Sequence, residues 1–165
     1  MEHAQLVQDK DVARFRELEL TVSAQPGHAL DDRFIAEELL GHRASIGYRY
    51  GDFQRQGVLL AFGSDAPVSS ADPRYGLQCA VHRALAGQTP WYPSQALSFD
   101  EAMTAYTRGP ALATGWSTEL GSLRPGSLAD LVVWSKDFES SENYLEHSVW
   151  LTVSGGRIVH EASET

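Results

Sequence analysis

Cysteine is almost missing: Cys79 is the only one in 165 residues. That excludes an internal disulfide framework and every multi-cysteine metal site, and it points to a reducing, cytoplasmic setting. Basic residues are also scarce, with 13 Lys and Arg against 22 Asp and Glu for a net charge of −9. A nucleic acid or an anionic membrane would need a basic surface to neutralise its phosphates, so neither is expected as a partner. No apolar run approaches the roughly 18 residues of a membrane span, and Met1-Glu2-His3-Ala4-Gln5 is unlike a signal peptide. Internal repeats and low-complexity stretches are lacking too. What is present, 42% apolar and 21% charged residues, is the composition of an ordinary globular chain long enough to bury a core.

The first two-thirds of the chain alternates helices with short strands. Asp9-Lys10-Asp11 starts a helix through Leu18 with Val12, Phe15 and Leu18 inward. Leu20–Ala24 reads as a buried strand, stopped by Pro26-Gly27 ahead of a loop carrying His28. Asp31-Asp32 then begins a helix with Phe34, Ile35, Leu39 and Leu40 on one side, ended by Gly41. Arg43–Tyr50 is ambiguous, with room for a short strand near Ser45–Tyr48 and a helical turn from Phe53 to Gln56. Val58-Leu59-Leu60-Ala61-Phe62 is a second buried strand. Beyond it, Tyr75–Ala86 reads as a helix, Trp91 and Tyr92 fall in a Gly/Pro-rich loop that is a lid or a packing edge, and Ser98 with Glu101 has the spacing of a capping box. A second short helix reaches Thr114. The remainder turns to strands at Asp130–Trp134, Val149–Val153 and Arg157–His160, the last two joined by Ser154-Gly155-Gly156, and ends in a frayed tail, Glu161–Thr165.

The most informative stretch is Gly63-Ser64-Asp65-Ala66-Pro67-Val68, directly after the second apolar run. A carboxylate at the end of a buried strand is how a parallel α/β protein presents an acid at the carboxyl edge of its sheet. On spacing alone, Asp65 could equally cap the helix or turn that follows.

Four motifs occur together and in order: Glu2-His3-Ala4-Gln5, Gln25-Pro26-Gly27-His28, the Asp65 stretch, and Gly121 to Val133 around Arg124-Pro125-Gly126-Ser127-Leu128-Ala129-Asp130. Together they resemble the C-terminal part of an amidohydrolase of family 3, the YtcJ-like metal-dependent hydrolases that include N-substituted formamide deformylase. The resemblance covers nearly the whole chain. It implies an α/β fold: strands five to eight of a (β/α)8 TIM barrel over residues 1–115, and part of a small β-sandwich domain over residues 116–165. It makes His3, His28 and Asp65 the ligands of a divalent metal, most simply Zn²⁺, which suits neutral imidazoles and a carboxylate. Asp65 would also carry the catalytic proton, and Arg43 and Tyr48 fall where the family places substrate contacts. The implied substrate is a small amide-like molecule.

The family's His-x-His pair on the first strand, and the further ligand its fourth strand often brings, have no counterpart here. The chain is therefore expected to be a fragment of a hydrolase of non-peptide carbon–nitrogen bonds, inactive by itself. From another class altogether comes a scaffold or assembly module that keeps the fold without a complete site. Open strand edges lead us to expect a homodimer, pairing with a missing N-terminal half, or poor solubility. His42, His82, His147 and His160 match no ligand pattern and are expected to be structural or solvent-exposed, and Cys79 to be a core residue.

Overall fold

The computed structural model describes residues 1–138 and 141–163. Helix α1 (Asp9–Glu17) has acidic residues in its first turn and arginines in its last, complementing the helix dipole, and it buries Val12 and Phe15. Leu18 follows the helix and is exposed. Strand β1 (Thr21–Ala24) leads into the six-residue helix α2 (Pro26–Asp31), so His28 sits on a helical turn that Pro26 opens, and not in a loop. Helix α3 (Arg33–Leu40) comes next. It buries none of its residues, and Phe34, Ile35 and Leu39 all face solvent.

The ambiguous segment after α3, with room for a short strand near Ser45–Tyr48, begins instead as a 3₁₀ turn over Gly41–Ile46. Gly47 and Tyr48 bind back to the start of the chain through an antiparallel bridge to Leu6 and a Tyr48 N–H bond to the Gln5 carbonyl. Engaged there, they do not join the β1–β2 ladder. After helix α4 (Tyr50–Arg55), strand β2 (Leu59–Phe62) pairs directly and in parallel with β1, Thr21 opposite Leu59 and Ala24 opposite Phe62. On the other side of β1, Glu2 bridges Ser23, also in parallel. The described residues thus hold three adjacent parallel segments where four strands, five to eight, were expected.

Helices cover this small sheet. Helix α5 (Pro73–His82) is N-capped by Asp72, whose carboxylate accepts from the Arg74 backbone N–H. Helix α6 (Phe99–Tyr106) starts with the full capping box of Ser98 and Glu101. Helix α7 (Arg108–Ala113) lies so close to β2 that a Cβ on Gly109 would fall 2.0 Å from the Leu60 carbonyl oxygen. Val22, Ala24, Tyr50, Phe53, Leu60, Phe62 and Leu77 make up the heart of the core. Arg83 is fully buried beside it: its Nε donates to the Trp91 carbonyl at 2.9 Å, and its guanidinium lies over the Tyr50 and Trp91 rings. Trp91 is therefore a packing residue, 3% exposed, with its ring against Tyr48.

The last third forms an antiparallel meander of β3 (Leu131–Trp134), β4 (Val149–Ser154) and β5 (Arg157–Glu161). Gly155 and Gly156 turn the β4–β5 hairpin with φ of 55° and 77°, the positive pair that a tight right-twisted hairpin requires. Asp130 braces that turn by accepting the Gly155 N–H at 2.6 Å. Of the expected frayed tail, Glu161 closes β5, while positions 164 and 165 lie outside the described residues. Among the described residues no helix is long and apolar enough to cross a membrane.

Candidate metal centre

Each of the three parallel segments delivers one polar side chain at its carboxyl end. His3 follows the bridge at Glu2, His28 lies one helical turn beyond β1, and Asp65 comes three residues after β2. One ligand atom from each lies within 4.8 Å of the others. The two imidazoles stack with centroids 5.9 Å apart, and His28 Nε2 is 3.9 Å from an Asp65 carboxylate oxygen. His3 and Asp65 both have left-handed backbone, at φ 62° and 57°. Asp65 is not a helix cap, since that role at α5 falls to Asp72.

The donor set fits a divalent cation. His28 is 6% exposed, and its Nε2 is buried with no hydrogen-bond partner among the described residues. A buried imidazole nitrogen left without a partner is costly unless something outside the chain meets it. Two neutral nitrogens and one carboxylate oxygen are the donor types that Zn²⁺ takes, and three protein ligands leave a coordination position for water or substrate.

The cleft at this mouth, about 240 Å³, is lined by His3, Gln5, His28, Asp31, Asp32, Asp65 and Val68. Asp31 accepts from Tyr75 Oη and from Ser69 Oγ at 2.6 Å, and Asp32 accepts from Tyr48 Oη. Burial, reinforced by these carboxylate acceptors, pushes the Tyr48 and Tyr75 phenols well above the usual range, so both remain donors. Behind His3 lies Gln25, 6% exposed, which also contacts Glu2. Burial raises the Glu2 carboxyl, but hydrogen bonds from Gln25 and Ser23 and the nearby His3 outweigh it, leaving a net lowering.

Of the two expected substrate contacts, Tyr48 reaches the cleft through Asp32, whereas Arg43 is exposed on the 3₁₀ turn and does not line it. Among the other histidines, His42 and His160 are exposed, His82 packs edge-on to Tyr144, and His147 is buried against Phe138. Cys79 is fully buried, its thiol pushed up to about 12 chiefly by burial, which makes it a core residue. Glu2, Gln25, Asp31 and Asp32 were not singled out by sequence. The Asp pair had the pattern of a helix start, and Gln25 stood in a motif whose histidine drew the attention.

Fold and cluster together define an α/β chain with a cation-type cluster at the carboxyl ends of its parallel strands. Comparison with known proteins gives the family. The profile of the amidohydrolase family matches residues 1–160, and the chain belongs to that family. It is 34% identical to Protein LONG AFTER FAR-RED 3 of Arabidopsis thaliana, over 95% of this chain and 28% of that protein. It is 29% identical to the putative amidohydrolase YtcJ of Bacillus subtilis, over 98% of this chain and 32% of that protein. A solved structure of an uncharacterized metal-dependent hydrolase from Pyrococcus horikoshii superposes with a TM-score of 0.77 at 31% identity, over 89% of this chain and 30% of that one. The chain thus spans about a third of the length of these relatives.

Proposed function

We propose that this chain supplies the His3–His28–Asp65 part of a cytoplasmic metal-dependent hydrolase that opens a non-peptide carbon–nitrogen bond in a small amide, formamide or cyclic amide. The parallel segments would belong to a (β/α)8 barrel and the meander to its small β-sandwich. The observation that carries this reading is the convergence of the three side chains around the partnerless His28 Nε2. When bound, Zn²⁺ would polarise the substrate carbonyl and bring the pKa of a water toward ~7.

The chain's own residues contribute the rest. His3 and His28 offer neutral nitrogens from fixed positions. The Asp65 side chain is 41% exposed at the mouth and so can take a proton from the attacking water at a carboxylate oxygen and return it to the leaving nitrogen as the carbon–nitrogen bond breaks. Asp31 and Asp32, already fixed by three hydroxyl donors, give the cleft acceptor oxygens for substrate N–H groups. Tyr48 acts behind Asp32, and Arg43 is left for contacts farther out.

Asp65→Asn in a full-length protein carrying this segment is expected to lower kcat by about 10²–10⁴-fold with zinc still bound. Near-wild-type turnover would remove Asp65 from the proton-transfer role. A scaffold reading draws support from the Arabidopsis relative, whose name carries no reaction. Elemental analysis of the purified chain separates the two readings, because stoichiometric zinc lost in His28→Ala counts against the scaffold.

A further inference from the structure

Both ends of the Gln25 amide are engaged. Nε2 donates to Glu2 Oε1 at 2.7 Å, and Oε1 lies 2.8 Å from His3 Nδ1. An ionised carboxylate can only accept, and Glu2 Oε1 accepts from Ser23 Oγ at 2.9 Å as well. The amide therefore has one allowed orientation, NH₂ toward Glu2 and carbonyl toward the ring. A carbonyl can only accept, so His3 Nδ1 carries the hydrogen, and in a neutral imidazole the lone pair is then on Nε2.

The backbone builds this chain of contacts. Glu2 and Ser23 are bridge partners on neighbouring segments, the His3 N–H bonds the Ser23 carbonyl at 2.7 Å, and Gln25 follows the last residue of β1. Tyr50 Oη fixes Gln25 from behind by donating to its backbone carbonyl at 3.1 Å.

We infer that Glu2 and Gln25 are positioning residues, a carboxylate–amide–imidazole relay that sets the tautomer of His3 and presents Nε2 as its cation-binding nitrogen. The use of the relay rests on the metal-site reading above, but its hydrogen-bond logic does not. Partners of this kind orient a ligand ring and raise its basicity, and their loss typically costs ~10–100-fold in metal affinity.

The test pairs ¹⁵N-histidine NMR of the metal-free protein with Zn²⁺ affinity by competition titration. Wild type is expected to show His3 protonated at Nδ1. Gln25→Leu removes the acceptor, and Glu2→Gln lets the amide turn over. Each should erase that tautomer preference and weaken Zn²⁺ binding ~10–100-fold. The double exchange Glu2→Gln with Gln25→Glu keeps a donor at position 2 and an acceptor against His3, so it should restore both readouts, a rescue that a merely structural role would not give. The inference is overturned if wild-type His3 carries its hydrogen on Nε2, or if both single variants bind Zn²⁺ as tightly as wild type. A wild-type Nδ1–H tautomer in a chain that binds no Zn²⁺ would uphold the relay and refute the metal reading alone.

Discussion

The two sheets are both backbone ladders, one parallel and one antiparallel, and they are buried differently. In β1 and β2 most side chains are buried, with α4, α6 and α7 packed on β2, whereas β3, β4 and β5 bury none and β5 is exposed along its whole length. The meander is tied to the rest by the segment before β4. Phe138 stacks on Phe99, Gln78 bonds the Tyr144 N–H and the Glu142 carbonyl, and Arg74 bonds the carbonyls of Leu145 and His147. Backbone ladders alone contribute little net stability, because water competes for the same groups; apolar burial separates the two regions energetically. The parallel region should hold the chain's stability, and the meander should tolerate change.

The largest effect should come from Phe53→Ala. Phe53 is 0% exposed and packs on Phe15 at 5.0 Å, so its truncation is expected to cost about 3–5 kcal/mol in urea unfolding. A loss below about 1 kcal/mol would mean that the core is elsewhere. Next, Gly109→Ala should cost about 1–3 kcal/mol, since the new methyl would meet the Leu60 carbonyl with only the backbone to give way. Smallest should be Ile158→Lys on the edge strand β5. Ile158 is 62% exposed, and the change should move stability by no more than about 0.5 kcal/mol. The same variant sharpens the comparison, for an uncovered apolar edge invites pairing with another chain and a lysine opposes it. Light scattering of wild type at micromolar concentration should show association that Ile158→Lys reduces; a monodisperse wild-type monomer would rule that surface out.

Periodicity and punctuation revealed what local chemistry decides. The Ser98/Glu101 capping box, the Gly155-Gly156 hairpin and the strands ending near Ala24 and Phe62 lie where the residues pointed. Contacts distant in sequence were not legible. Ser45–Tyr48 has a strand-like composition, but a bridge to Leu6 decides its fate. Phe34, Ile35 and Leu39 have the spacing of an inward face yet remain exposed, because among the described residues no element buries that face of α3. Arg83 was not singled out by sequence, because its burial under Trp91 depends on a loop return eight residues later. At the site, His3, His28 and Asp65 were readable from their motifs, and the structure brings them together. Gln25 gains its role only when β1 sets it beside His3, a juxtaposition that no spacing rule encodes.

The left-handed backbone at His3 and Asp65 bears on how this site could drift over generations. Histidine, aspartate and asparagine are among the few side-chain-bearing residues found there with any frequency, while β-branched residues are strongly disfavoured. A β-branched replacement there, such as Asp65→Val, would add backbone strain to the loss of the carboxylate. His28, on ordinary helical backbone, carries no such filter. Of the three positions, 28 is the one whose backbone leaves the choice of side chain open.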